Sequence, residues 1–387
     1  MKSIYLKRTL KLTALILPII LVLFILQNDI FRYEDANTKR LEHFYLEEPD
    51  SLDVVLLGAS EVHHGYAPGY AYSKYGYTSY PYSMDANIGA LYIPQLKEIL
   101  TYQDPGLILV DVSGFSRGAH LDYQASQIRI FTESIPPSAN RLETLFSFDY
   151  DNKMSFFFPF IKYHGDWDLA QLHVIYCSRY QDFLNTPSFL KGLATLSVTY
   201  SGPGQNGTAN DDNRYINDEN EDHLIELLEY CQQNKLYQVV FVNFPRYISN
   251  DPTNDVLAKM EQIQEIVEDY GYVFLDLQDD KLEIGLDVTQ DFSSTEHLNI
   301  LGQQKLTEFI GDWVINEYGL VPRTQSETNE AHWEDCATLA HEYIDIIEQE
   351  LDAGNSTSIG MDTDLLPYLD SEALELVTQI HDNHDSE

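Results

Sequence analysis

Residues 52–65, LDVVLLGASEVHHG, decide the fold. The first six are near-continuously apolar, and the run stops at Gly58. A short apolar run closed by a glycine reads as a strand buried on both faces, as in parallel sheets. The pattern recurs at residues 107–112 (LILVDV), 238–243 (QVVFVN) and 273–277. Between these runs lie amphipathic stretches at residues 90–101, 222–233, 254–270 and 300–313. In the third, Val256, Met260, Ile263 and Val267 form one helical stripe. Strands alternating with such helices predict an α/β fold, a parallel sheet covered on both faces.

Two regions break the rhythm. Residues 115–215 show no βα alternation and read as an insertion, a cap over the site. They contain FFFPFIKYHGDW (residues 156–167) and end in a polar loop from Ser201. The FFFPF run is cap core or an acyl-chain groove; Tyr163, His164 and Trp167 line a sugar site or pack the insertion. Residues 321–387 are an acidic C-terminal helical extension, with a helix over residues 332–351 and a short one from Asp370.

At the other end, Lys2, Lys7, Arg8 and Lys11 precede an apolar run from Leu12 to Leu26, broken only by Thr13 and Pro18. A basic cluster before an apolar segment reads as a targeting signal. No small-residue cleavage site follows, so the expectation for residues 1–31 is an uncleaved signal anchor, a single pass through the cell membrane with the rest of the chain extracellular. A cleaved signal peptide is the alternative. Residues 32–50, polar and charged, read as a stalk, and residues 51–320 as the main domain.

Composition narrows the partners. Of 387 residues 44% are hydrophobic and 22% charged, which suits a packed core and argues against global disorder. Lys and Arg number 23 against 62 Asp and Glu, a formal net charge of -39. That balance argues against a nucleic-acid partner and against docking on anionic polymers through bulk charge. The three cysteines, Cys177, Cys231 and Cys336, are far apart and form no CxxC, so neither a zinc ribbon nor a disulfide framework is expected.

Ligands of open parallel sheets gather at the carboxyl ends of the strands. The first strand exits into Gly58-Ala59-Ser60, where a sharp turn exposes the Ser60 hydroxyl and turns its amide toward an oxyanion. Alone, this Ser reads more readily as a helix cap. It is not the G-x-S-x-G elbow, because Val62 holds the last position. Near the end of the sheet region comes DFSSTEHLN (residues 291–299), followed by Gly302 and Lys305. His297, in a loop before the last helix of the sheet region, can reach the sheet edge and act as base for a hydroxyl. His63 and His64 lack any accompanying metal-ligand spacing, and His332, Cys336 and His341 do not share one helix face, so no metal is expected. Asp111 hydrogen-bonds the site or caps the next turn.

Together these stretches resemble the SGNH/GDSL hydrolase superfamily, and within it a membrane-anchored bacterial branch associated with cell-surface polymer acylation. The resemblance spans about residues 50–315. It is carried by GAS (58–60), YGYTSY (75–80), LKEIL (96–100), LILVDV, FPFIKYHGDW (158–167) and the closing H-L-N-x-x-G-x-x-K from His297 to Lys305. It implies a three-layer α/β/α, flavodoxin-like sheet and a serine esterase or O-acyltransferase without a cofactor. It further implies acyl esters of cell-surface glycopolymers as substrate and a membrane O-acyltransferase as candidate partner. Ser60 would be the nucleophile and His297 the base. The oxyanion hole would be the Ser60 amide with Asn87 or Gly89. The family's acid stands three residues before the His, where this chain has Ser294. Asp291 is expected to substitute, ahead of Glu296, whose adjacency to His297 turns its side chain away. The alternative is a catalytically degenerate scaffold that binds glycan or the polymer-modification machinery.

Overall fold

The structure, a computed structural model, describes residues 2–29, 35–117, 121–148, 152–163, 187–205, 214–249 and 255–384. His164, Trp167, Cys177 and most of the polar loop after Ser201 lie outside the described residues.

The apolar runs form a five-stranded sheet: β1 (Val54–Gly58), β2 (Ser79–Ser83), β3 (Leu107–Asp111), β5 (Val239–Asn243) and β6 (Val273–Asp276). Every pairing is parallel, in the order β2-β1-β3-β5-β6. The chain steps outward from β1 to β2, then reverses to β3. This topological switch point opens a crevice at the carboxyl ends of β1 and β3. β2 (SYPYS) belongs to the YGYTSY stretch and lacks an aliphatic run, yet is wholly buried.

Period-2 alternation divides the strands between two cores. Val55, Leu57, Ile108, Val110, Val239 and Phe241 face one side, packed under the helices Tyr92–Tyr102, Asp218–Gln233 and Asp255–Asp269. Val54, Leu56, Leu107, Leu109, Val240 and Val242 face the other, under Ser60–Gly65, Pro68–Tyr75 and Ile300–Asp312. The α/β class with helices on both faces is therefore as expected. The insertion is helical where described (Leu121–Ser134, Ala139–Ser147, Met154–Phe157, Pro159–Tyr163), and its Ile128, Phe131 and Leu145 join the first core. In the FFFPF run Phe156 is buried, with the Arg129 guanidinium 3.9 Å above its ring, while Phe158 and Phe160 are exposed.

Two expectations about the flanks need correction. Residues 2–29 do form one helix (Lys2–Asp29), but no helix among the described residues is long and apolar enough to cross a membrane. The run from Leu12 to Leu26 is about 15 residues, roughly 22 Å of helix, against about 30 Å of hydrocarbon. Lys2, Lys7, Arg8 and Lys11 occupy the turns before it. The single-pass anchor, the cell-membrane location and the extracellular placement of the remainder are thereby overturned. Next, residues 35–50 are not a projecting stalk. The helix Ala36–His43 is capped by Asp35 and buries Leu41, and Phe44 follows it into the first core. The C-terminal extension is helical and packs onto the main domain. Its long helix (Glu327–Asp352) packs Cys336, Leu339, Tyr343 and Ile347 against Ala67, Tyr70 and Ile300. β7 (Ser358–Ile359) pairs antiparallel with β4 (Thr195–Leu196) from the end of the insertion.

Candidate functional site at the β1 exit

Gly58 ends β1 because nothing larger fits: a Cβ there would overlap the side chains of Asp111 and Val62. This close approach brings the exits of β1 and β3 together. Ala59 N–H donates to Asp111 Oδ2 (3.1 Å), and Ser60 opens the six-residue helix Ser60–Gly65. As the first residue of a helix, its amide has no carbonyl one turn earlier to satisfy it. Ser60 is 5% exposed.

His297 arrives from 237 residues away. Its Nε2 lies 2.8 Å from Ser60 Oγ. For the hydroxyl to donate, Nε2 must be unprotonated and Nδ1 must carry the ring proton. Burial pushes the His297 imidazole below its ordinary value, against the opposing carboxylates of Glu61, Glu296 and Asp85. The neutral, proton-accepting form is thereby favoured. The loop around it is tied locally. Ser294 Oγ accepts from the backbone N–H of His297 (3.0 Å) and of Glu296 (3.1 Å). The residue at the expected acid position thus holds the His297 backbone and leaves its ring alone.

Asp291 does not join His297. Its Oδ2 accepts from Lys305 Nζ (2.6 Å) and from the Asp287 amide (2.7 Å), and its Oδ1 is buried without a partner. Its carbonyl receives the Asn299 amide at 2.9 Å, and a Cβ on Gly302 would overlap it. Asn299 Oδ1 caps the helix Ile300–Asp312 through the amides of Leu301 and Gly302. The closing H-L-N-x-x-G-x-x-K block is therefore largely a brace: Asn299 caps, Gly302 admits the Asp291 backbone, and Lys305 pairs with Asp291. Among the described residues no carboxylate hydrogen-bonds His297.

The expected oxyanion donors are also placed elsewhere. The Asn87 amide nitrogen donates to the Gly58 carbonyl (2.9 Å) and to Gln95 Oε1 (2.8 Å). Gly89 starts a short 3-10 turn, packed so closely on Phe115 that a Cβ would overlap the ring.

What lies behind His297 is aromatic. The His64 ring packs on it, with centroids 4.5 Å apart and planes at 32°, and His63 packs on His64 at 4.9 Å. His63 is fixed by Ser83 Oγ (2.9 Å) and Asp85 Oδ1 (3.1 Å). Burial, reinforced by Arg40, lowers the His63 imidazole to about 4 despite Asp85. Burial, with His63 and His297 nearby, pushes His64 well down too. Among the described residues no group of three or more His, Cys, Asp or Glu is arranged to hold a metal ion.

On the other flank, Glu61 is 1% exposed, and its Oε2 lies 3.4 Å from Ser60 Oγ. Its Oε1 accepts from Arg246 Nη2 (2.7 Å) and Arg117 Nη2 (2.9 Å). Burial alone would raise this carboxyl, but Arg246 and then Arg117 outweigh it and hold it at about 2. Asp111, beside it, accepts from Ser113 Oγ at 2.5 Å. Burial first, then the Glu61 charge, raise Asp111 to about 6. Sequence reasoning passed over Glu61, Ser113, Arg117 and Arg246. Their signal was positional: each closely follows the end of an apolar strand, where sites of such folds collect.

The arrangement can move a proton from a serine hydroxyl to a neutral imidazole at the carboxyl edge of a parallel sheet. No protein-family model, curated protein or solved structure matches the chain.

Proposed function

We propose that the chain is a serine esterase or O-acyltransferase of the SGNH kind, with residues 115–215 forming a cap beside its site. The observation that carries this reading is the 2.8 Å contact between Ser60 Oγ and His297 Nε2. Ser60 Oγ attacks an ester carbonyl as its proton passes to His297 Nε2. The tetrahedral intermediate then expels the alcohol, which takes that proton, leaving an acyl-Ser60. Water or a second hydroxyl repeats the sequence in reverse and accepts the acyl group. The Ser60 amide supports the oxyanion; Asn87, committed to Gly58 and Gln95, does not. The sequence resemblance points to O-acylated glycopolymers as substrate and to a membrane O-acyltransferase as partner.

A second reading is a scaffold that has lost turnover. One observation favours it: among the described residues no carboxylate hydrogen-bonds His297, and Asp291 is engaged by Lys305. Removing the triad acid costs about 10⁴ in rate in a serine protease, so a dyad is slow but not inert. Hydrolysis of p-nitrophenyl acetate by the purified chain separates the two. We expect Ser60-dependent turnover, lowered by about 10³ or more in Ser60→Ala and His297→Ala. Turnover that survives Ser60→Ala unchanged excludes the acyl-enzyme route, and its absence from the wild type favours the scaffold.

A further inference from the structure

We infer that His64 is the positioning residue for His297: the flat face of its ring aims the imidazole at Ser60, the part a carboxylate plays in a triad. The inference rests on the reading of Ser60 and His297 as nucleophile and base, and adds what holds the base in place.

Three observations carry it. The first is placement. Ser60 and His64 stand four residues apart in the helix Ser60–Gly65, so their side chains leave the same face, one turn apart. An imidazole that comes to Ser60 from outside this helix is brought against His64. His297 is so placed: its Nε2 lies 2.8 Å from Ser60 Oγ while its ring packs on His64 with centroids 4.5 Å apart.

The second is backing. His63 packs on His64 at 4.9 Å, is 1% exposed, and is pinned at both ring nitrogens, by Ser83 Oγ at the end of β2 and by Asp85 Oδ1. The column of three rings therefore starts at a fixed edge of the sheet and ends at the nucleophile. A ring held in such a stack cannot swing without displacing its neighbours.

The third is the kind of contact. The planes of His64 and His297 are only 32° apart, so the rings meet through their faces and not through a hydrogen bond. His64 Nδ1 is buried without a partner among the described residues. The other candidates for aiming the ring are engaged elsewhere: Ser294 holds the His297 backbone, and Asp291 holds Lys305. A face suits the chemistry as well. His297 becomes positive when it takes the Ser60 proton, and burial, with His63 and His297 nearby, keeps His64 neutral. A neutral aromatic face accepts a cation beside it.

The test reads p-nitrophenyl acetate turnover per folded molecule of the full chain. His64→Ala should lower kcat by about tenfold to a hundredfold with KM nearly unchanged, because a base misplaced by about 1 Å costs rate and not ground-state binding. His64→Leu refills the volume without a flat face; it should lose kcat in the same direction and guards against an Ala variant that fails to fold. His64→Phe keeps the face and should stay within about threefold of wild type. Turnover that depends on Ser60 but is unmoved in folded His64→Ala and His64→Leu overturns the inference and leaves the serine chemistry standing. Loss in His64→Phe equal to that in His64→Ala also overturns it, since the ring nitrogens would then matter and not the face.

Absence of turnover from the wild type sinks the serine reading instead, and a second arm still judges the packing. In a chain labelled with ¹⁵N-histidine, the His297 ring signals are those lost in His297→Ala. The charged and titratable groups around this ring are Glu61 and His64 on the Ser60 helix, Glu296 beside it, Asp85 after β2 and Arg117 after β3. His64→Ala opens one face of the ring to water, so its titration midpoint should rise toward 6.5, while His64→Phe should leave it low. An unchanged midpoint in His64→Ala overturns the inference.

Discussion

Two buried charge clusters in this molecule look alike and behave differently. One centres on Lys191, wholly buried, whose three ammonium protons meet three acceptors: Glu47 Oε1 (2.8 Å), Glu47 Oε2 (2.7 Å) and His332 Nε2 (2.7 Å). The Trp333 ring covers it at 4.5 Å. It ties the segment after Phe44 and the end of the insertion to the C-terminal helix. The other centres on Glu61, whose Oε1 accepts from Arg246 and Arg117 and whose Oε2 also accepts from Arg117, while the buried Arg246 Nε finds no acceptor among the described residues. The saturated cluster is a clamp. The other sits beside the Ser60–His297 contact and leaves the buried Arg246 Nε without an acceptor among the described residues. Buried charge alone marks neither structure nor function; whether its hydrogen-bonding capacity is used up separates them.

That contrast can be broken experimentally. The largest effect is expected at the clamp. Lys191→Met strands a buried Glu47 carboxylate and should cost about 3–5 kcal/mol by denaturant melts, with ester turnover per folded molecule retained. Adding Glu47→Leu should recover part of the loss, since the stranded charge goes with its partner. Lost turnover in a folded Lys191→Met would mean the clamp also serves the site.

Asp291→Asn should come next. It breaks the pair with Lys305 and should cost about 1–3 kcal/mol, because Asp291 is buried. Turnover should fall less than about tenfold, since Asp291 braces a helix and does not touch the imidazole. A loss near 10⁴ would reinstate Asp291 as the acid.

The smallest effect lies in pH dependence. A base held below its ordinary value stays neutral to lower pH, so kcat/KM should fall on acidification with a midpoint under 6.5. Glu61→Gln removes the largest opposing influence on His297 and should move that midpoint lower still. A midpoint above 6.5 would show that a carboxylate stabilises the imidazolium after all.

Much of this architecture was legible locally. Runs such as VVLLG and VVFVN have one use in an α/β chain, and the β1 exit and His297 fall where such folds place chemistry. What escaped depends on distant partners. Arg40 reads as a stalk residue until its Nε meets the Gly192 carbonyl, 152 positions away. Glu47 looks exposed until Lys191 arrives from 144 positions on. The acid was misjudged for the same reason. Proximity in sequence put Asp291 near His297, but Lys305, one helical turn beyond Leu301, reaches it first. Arg246 carried no local pattern beyond its place after a strand. The N-terminal run misled through composition, since its apolar character is strong and its length short.

The central claim is that Ser60 is a nucleophile activated by His297, and covalent trapping tests it most directly. The purified chain is exposed to a fluorophosphonate, and the intact mass and peptide map are read. The account predicts a single adduct, on Ser60, absent from Ser60→Ala and formed far more slowly in His297→Ala. No adduct, or one that persists in Ser60→Ala, would contradict it.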